Sequence, residues 1–477
     1  MPPIVATLIC VIGIAGLFYL DRRNGPRVSK ALWIPALWLF LISSRPVSMW
    51  LGMTPNFTMG ADPTDVYVEG SPVDRAVCMF LMSAALAVLF RRADRVRPFL
   101  RKNAVLISYL FFCLVSILWS DFLFVAFKRW TKTAFGDIPM LLIILTDSHP
   151  MIALKRVLTR VGLLFFPLSI LLIKYYTQIG CRLTNSWTME PVGLATQKNG
   201  LGLDCLIWGA FFLWMFLSIY RERDDPSRRR RLFVYGTIIA MIVNLLSLCN
   251  STTSIVGVVC TCAIVFIAMR PARKATWVHI LVLVVLGLAT IALFFDPGGG
   301  MVEALGKSST FSGRTYTWGL VLGMHTNPWV GTGFESFWLG PRLVAMRAAW
   351  PNLLINEAHN GYIEVYINLG WIGVCFIVAM IVIAYKRVIS RWRTDPRTAA
   401  LFLGFLLCAL FSAFSENAFR MMTPSWVFFM LVILATAQPE LFGNAPLTGP
   451  SQVADIAIDE PAHATQGTTL VPYWVTE

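Results

Sequence analysis

The chain has 477 residues, 57% of them hydrophobic and only 14% charged, with a mean hydropathy of +0.66. Those proportions exclude an ordinary soluble domain and a disordered chain alike. The net charge of +14 would suit a nucleic-acid partner, but the placing of the basic residues along the chain argues against one.

Thirteen apolar stretches are candidates to cross a hydrocarbon core about 30 Å thick. They run roughly over 4–20, 31–43, 76–90, 104–119, 134–146, 157–175, 201–220, 232–249, 253–269, 276–295, 371–385, 399–415 and 425–437. The first lacks a basic start and a small-residue cleavage site, so it is read as an anchor. Basic residues gather in alternate connections: Arg22–Lys30, Arg91–Lys102, Lys155–Arg160, Arg221–Arg231, Arg270–Lys274 and Lys386–Arg397 hold 27 of the 40 lysines and arginines. The positive-inside rule places these connections in the cytoplasm, with the N-terminus outside and the C-terminus inside. The expected fold is therefore an all-α polytopic integral membrane protein of about 12–13 transmembrane helices, with one large outer loop, about 296–370, containing short helices. Residues 1–438 form the membrane domain. The tail 439–477, rich in Pro, Gly, Ala, Thr and acids and lacking Lys and Arg, is expected to be disordered and cytoplasmic.

Eight of the ten cysteines lie in the spans as small apolar fillers, while Cys181 and Cys249 fall near the outer face, where they could pair. No Cys/His metal spacing occurs, and no metal or cofactor is expected. Asp137, Asp204, Glu416 and Asn417 are costly in lipid and should face protein or water. The two aspartates could balance outer cations or serve a proton relay. The turn at Asn250–Ser254 supplies hydroxyls and amides, or simply caps the next helix.

Chemistry concentrates in 313–370, a polar segment between apolar spans. Arg314, in Ser312-Gly313-Arg314-Thr315, could fork onto phosphate oxygens, or cap a helix end or reach for headgroups. His359, in Glu357-Ala358-His359-Asn360-Gly361-Tyr362, could take a proton from a sugar hydroxyl with Glu357 or Glu364 orienting it. Alternatively the same residues form a helix start in which Asn360 and Glu357 satisfy backbone amides. Two further outer pieces are candidates. Trp119-Ser120-Asp121 ends a span, and Lys128-Arg129-Trp130 lies on a cationic interfacial helix. Lys198-Asn199-Gly200 enters another span, where Lys198 could meet phosphate. Cations on one side of the membrane beside a single imidazole suit a diphosphate at the bilayer surface and a hydroxyl activated next to it.

The string Ser-Gly-Arg…Asn-Pro-Trp-Val-Gly-Thr-Gly…Glu-Ala-His-Asn-Gly-Tyr…Leu-Gly-Trp-Ile-Gly, together with Trp119-Ser120-Asp121 and Lys198-Asn199-Gly200, resembles the signature of the O-antigen ligase and polymerase superfamily, closest to its exopolysaccharide-polymerase-like branch. The resemblance covers about residues 104–420. It implies a metal-independent glycosyltransferase of the bacterial inner membrane with its active site facing the periplasm. Such an enzyme transfers or polymerises glycan from an undecaprenyl-diphosphate-linked donor to a glycan or lipid-linked acceptor, among membrane lipids and without nucleic acid. A chain-length regulator stays open as a further partner. By resemblance Arg314 contacts the diphosphate, His359 is the general base, and Glu357 and Asn360 share the His motif. Lys128, Arg129, Lys198, Asn199 and Tyr362 are further substrate-binding candidates, and Trp318, Trp329 and Trp338 are candidates to stack on sugars. The chain departs from the family in the turn where members often carry a basic residue, having Thr252-Thr253 instead; Lys198, Arg129 or Lys128 would take over that phosphate contact. The competing reading is a transporter or flippase of lipid-linked glycans. It would place its key charges at mid-membrane and show paired repeats, and no internal repeat is visible.

Overall fold

A computed structural model describes residues 1–22, 26–53, 71–183, 188–249, 251–269, 311–349, 356–392 and 394–438, with scattered positions between 276 and 287. Most of the expected span 276–295, the loop start 296–310 and the tail 439–477 lie outside the described residues.

Apart from single turns, the helices in chain order are α1 (Pro3–Leu20), α2 (Trp33–Ser43), α3 (Pro72–Phe90), α4 (Ala93–Lys102), α5 (Ala104–Ser116), α6 (Leu123–Lys132), α7 (Ile138–Leu145), α8 (Pro150–Tyr175), α9 (Lys198–Arg221), α10 (Arg228–Cys249), α11 (Thr252–Ala268), α12 (Phe311–Gly323), α13 (Gly340–Ala349), α14 (Gly361–Arg391), α15 (Pro396–Ser415) and α16 (Pro424–Thr436). Strand is confined, among the described residues, to one antiparallel pair, β1 (Cys181–Leu183) and β2 (Met189–Pro191). This is an all-α polytopic membrane protein. Among the described residues, seven helices are long and apolar enough to cross a bilayer, or eight if α4 and α5, bent by 87°, are taken as one broken span. Helices close their own backbone hydrogen bonds, which is what an apolar solvent demands.

Several boundaries differ from the sequence reading, each for a local reason. The start of α8 lies ahead of the expected span, so Lys155, Arg156 and Arg160 are helical rather than in a connection. Pro150 at the first turn suits that start. The weak span 134–146 opens as a π-helical turn over Thr133–Asp137 and leaves only the short α7. The basic stretch after α3 folds as α4, pinned by the buried ring of Phe99. The expected interfacial helix is α6, with Phe124 and Phe127 exposed.

At the centre stands α15, whose apolar window is 94% buried against 17% for α1 and α3, so those two sit at the periphery. Trp208 of α9 packs between Phe165 of α8 (6.3 Å between ring centroids) and Phe428 of α16 (5.3 Å). Of the acids expected to avoid lipid, Asp137 is buried and accepts hydrogen bonds from Trp38 Nε1 (3.1 Å) and Met422 N (3.0 Å). It thereby ties α2 to the connection between α15 and α16. Asp204 is likewise buried inside α9.

One long-range contact positions the outer segments. The helix α14 is broken at Gly370 (φ 63°, ψ −167°), and Asn327–Phe337 lies across the break. Thr332 and Gly333 donate to the carbonyls of Ile367 (3.1 Å) and Asn368 (2.9 Å), and Trp371 and Ile372 donate back to Pro328 (2.9 Å) and Trp329 (3.2 Å). A methyl group on Gly370 would stand 2.2 Å from the Trp329 carbonyl carbon, and one on Gly331 would stand 2.4 Å from that of Asn368. Asn-Pro-Trp-Val-Gly-Thr-Gly and Leu-Gly-Trp-Ile-Gly are thus two halves of one backbone contact. Gly370→Ala is expected to destabilise the protein by about 2–4 kcal/mol, through strain at positive φ plus the clash. A lower thermal midpoint of the detergent-purified protein, with faster proteolysis of 327–337, checks this; an unchanged midpoint refutes the lock.

Candidate functional site

The polar cluster lies at the end of the bundle where α9 and α14 begin and α15 ends. Asn360 is the N-cap of α14: in extended backbone, its side-chain oxygen accepts from Tyr362 N (3.0 Å) and Ile363 N (3.1 Å). The preceding residue, His359, has φ 48°, a left-handed conformation that costs a non-glycine residue about 1–3 kcal/mol. Three side chains hold it there. Trp318 Nε1 donates to Ala358 O (2.8 Å), and Ala358 N donates to Glu364 Oε2 (2.9 Å). Glu364 Oε1 accepts from Trp338 Nε1 (2.7 Å). With both peptide groups of buried Ala358 fixed, the His359 Cα has little freedom.

The imidazole is held as firmly as the backbone. His359 Nδ1 lies 3.2 Å from Glu357 Oε1 and 3.3 Å from Glu416 Oε2. Glu416 is oriented by Asn199, whose Nδ2 donates to its other oxygen (2.8 Å). Glu357 in turn lies 3.8 Å from Arg420 Nη1, and Arg420 Nε is 3.7 Å from Glu335 Oε2. The Arg129 guanidinium donates to the Glu335 carbonyl. Five separated pieces of chain therefore meet: α6, the segment before α13, the His359 loop, the start of α9 and the α15–α16 connection. The side chains of His359 and Arg420 are each 30% exposed, whereas Glu357 and Glu416 are 12% and 15% exposed. The imidazole and guanidinium edges face outward, and the carboxylates back them. With Nδ1–H given to the carboxylates, Nε2 is the basic nitrogen of that tautomer.

The expected site residues are distributed as follows. His359, Glu357, Asn199 and Arg129 belong to the cluster. Asn360 supports it as a helix cap, and the ring of Tyr362 packs on Phe414 (5.7 Å) and Phe419 (5.3 Å). Lys198 pairs with Glu190 of β2. Lys128 stands 4.8 Å above the Phe124 ring, on a groove between α3 and α6 that Arg129 also lines. Arg314 lies on α12; its side chain, like those of Thr252 and Thr253, is outside the described residues. Two expectations need correcting. Trp318 and Trp338, read as sugar platforms, are 9% and 7% exposed, because their indole N–H groups are spent on the His359 loop; Trp329 stays exposed. Cys181 and Cys249, read as able to pair, are both free thiols.

The sequence reading also missed residues. It took Glu416 only as a charge to be kept from lipid and passed over Arg420 and Glu335. The signal was the run Glu416-Asn417-Ala418-Phe419-Arg420, which interrupts apolar sequence between two spans. The surroundings of the imidazole are also richer in acid than expected: three carboxylates, of Glu335, Glu357 and Glu416, stand with one guanidinium. Glu357, His359 and Glu416 offer ligand atoms within 4.8 Å of one another, a donor set of the kind a divalent cation accepts.

Residues 236–378 match the profile of the family described as O-antigen ligase. That segment, about 30% of the chain, is similar to the O-antigen ligase family. The exopolysaccharide production protein ExoQ of Rhizobium meliloti (strain 1021) is 31% identical over 169 residues, which cover 33% of this chain and 38% of that protein. The O-antigen ligase match takes in α12, α13, the His359 loop and the break at Gly370, while Arg129, Asn199, Glu416 and Arg420 fall outside it.

Replacing Glu364 by Gln puts an amide N–H where a second acceptor is needed, against Trp338 or Ala358. The change is expected to cost about 1–3 kcal/mol, seen as a lower thermal midpoint and a shift in tryptophan emission. A variant as stable as the parent would remove Glu364 as the anchor of the loop.

Proposed function

We propose that the chain is a metal-independent membrane glycosyltransferase that transfers or polymerises glycan from an undecaprenyl-diphosphate-linked donor on the periplasmic face of a bacterial inner membrane. The observation that carries this reading is the His359 imidazole, fixed through Nδ1 between two carboxylates beside the Arg420 guanidinium, in a loop of the segment similar to the O-antigen ligase family at the end of an apolar bundle.

The donor is an activated glycoside whose leaving group is the lipid diphosphate. An acceptor hydroxyl of a glycan or lipid-linked glycan gives its proton to His359 Nε2 as its oxygen attacks the anomeric carbon in line. The anomeric C–O bond to the diphosphate breaks, and undecaprenyl diphosphate leaves with the electron pair. Glu357 and Glu416 stabilise the imidazolium that forms and keep it in one tautomer. Arg314 forks onto the diphosphate and Arg420 adds charge nearby, so that a metal is not required to neutralise the leaving group. Arg420 also fills the place of the basic residue missing at Thr252-Thr253. Arg129 contributes by holding Glu335, and Lys128 and Lys198 serve the membrane-facing approach of the donor. Glycan acceptor, lipid-linked donor, surrounding lipids and a chain-length regulator are the partners this reading implies.

His359→Ala is expected to abolish transfer while membrane insertion survives, and Glu416→Gln to reduce the rate about 10²–10⁴-fold, with donor binding retained. Transferred glycan, measured apart from flipped donor, is the readout, and unchanged product in the His359 variant removes it from catalysis. Arg314→Lys should also be damaging, since a point charge cannot reproduce the fork. Chelation by EDTA should leave the rate unaltered. Activity lost to EDTA and restored by a divalent cation would instead make Glu357, His359 and Glu416 metal ligands. In a deletion strain, short lipid-linked units identify a polymerase and long unattached chains a ligase.

A further inference from the structure

A second polar cavity lies at the opposite end of the bundle from His359. It opens where α1, α8, α9 and α10 meet and is lined by Asp21, Arg22, Lys155, Arg156, Thr159 and Arg160 over an apolar floor of Phe18, Leu163 and Met215. On α9, Met215 is 17 residues from Lys198, about 25 Å along a helix. Its volume is about 230 Å³, several times the roughly 30 Å³ of a water molecule in the liquid.

Its charge is unbalanced. Four cations face one acid, so however Asp21 is shared the lining keeps three surplus positive charges. Asp21 is already engaged by the hydroxyl of buried Tyr235, which donates to its Oδ1 (2.6 Å). The cations are also held in place. Lys155 stands 5.0 Å over the Trp214 ring, Arg160 lies 4.3 Å over Trp33, and Arg156 donates to Pro26 O (3.1 Å). Residues 155, 156, 159, 160 and 163 share one face of α8. Helical spacing therefore forces like charges together, at an energetic disadvantage that an anion would relieve.

We infer that this cavity binds the phosphate of an anionic phospholipid headgroup. Phosphate supplies the charge and the acceptor oxygens that guanidinium and ammonium groups recognise. A lipid source is favoured over the free ion by the neighbouring helix. Along α1, Leu8, Ile9, Val11 and Ile12 are exposed, an apolar track for the acyl chains of a lipid whose headgroup sits in the cavity. Basic pockets between membrane helices take anionic headgroups in this way. The inference does not depend on the role given to His359.

The test uses the full chain purified in a zwitterionic detergent, with retention of phosphatidylglycerol measured against phosphatidylcholine by native mass spectrometry. The triple variant K155Q/R156Q/R160Q is expected to lose about tenfold or more in phosphatidylglycerol retention. In contrast, R229Q/R230Q, which removes two exposed charges outside the cavity, should retain the lipid as the parent does. Should the triple variant fail to fold, R22Q on the exposed rim is expected to weaken retention several-fold by itself. Equal loss in the R229Q/R230Q control would reduce the effect to net charge and overturn the site. Inorganic phosphate displacing the lipid at millimolar concentration would make the free ion the ligand and overturn the lipid assignment. Phosphatidylcholine held as tightly as phosphatidylglycerol would also overturn it.

Discussion

The backbone contact between Asn327–Phe337 and the broken helix at Gly370 is the constraint on which the candidate site depends. A helix of 31 residues running unbroken would carry its first turns away from the segment that braces them. The break lets Ile367 and Asn368 offer carbonyls sideways, and Asn368 extends the contact by accepting from Ser336 N (2.9 Å) and Phe337 N (3.1 Å). Ser116 and Ser120 hold the same segment from the other side: Phe334 N donates to Ser116 Oγ (3.1 Å), and the hydroxyls of Ser120 and Ser336 meet at 2.6 Å. Trp338 follows directly and reaches Glu364. The path from α5 to the His359 loop is therefore an unbroken series of hydrogen bonds, most of them buried and hard to exchange with solvent.

A cation-lined cradle was the expected surrounding for the imidazole, and the structure gives a carboxylate-lined one. The two are reconciled by position. Lys198 pairs with Glu190, and Arg129 donates to the Glu335 carbonyl. Glu357 and Glu416 stand on the Nδ1 side of the ring. Arg420, within 4 Å of both Glu335 and Glu357, offsets part of the cluster's negative charge.

Much of this was legible from composition and spacing, and the failures follow from what those signals measure. Hydropathy reports where lipid is and not where a helix begins. For that reason Lys155, Arg156 and Arg160 read as a connection although Pro150 had already started α8, and the basic stretch that forms α4 read as irregular. The pairing of Glu357, His359 and Asn360 was legible because all three sit in one short motif. Glu416 and Arg420 are 57 and 61 residues further on, and only the packing of α14 against α15 brings them in. Trp318 and Trp338 misled for a related reason. An indole near a polar loop suits a sugar face and a buried carboxylate equally well, and sequence does not say which one its N–H finds.

Among the described residues, three other than glycine have φ between 48° and 57°: Glu335, His359 and Met422. Two of them belong to the polar cluster, and the third is two residues from Arg420, held by Asp137. At about 1–3 kcal/mol each, such conformations persist only where surrounding contacts over-determine them. The contacts are those of Arg129 on the Glu335 carbonyl, Glu364 and Trp318 on Ala358, and Asp137 on Met422. A left-handed residue turns its side chain away from the direction helical or extended backbone would give it. The same feature thus recurs at Glu335, at His359 and two residues from Arg420. Strain concentrated at one place and relieved by dedicated partners is what a site positioned before its ligand arrives requires, and packing alone gives no reason for the three to converge.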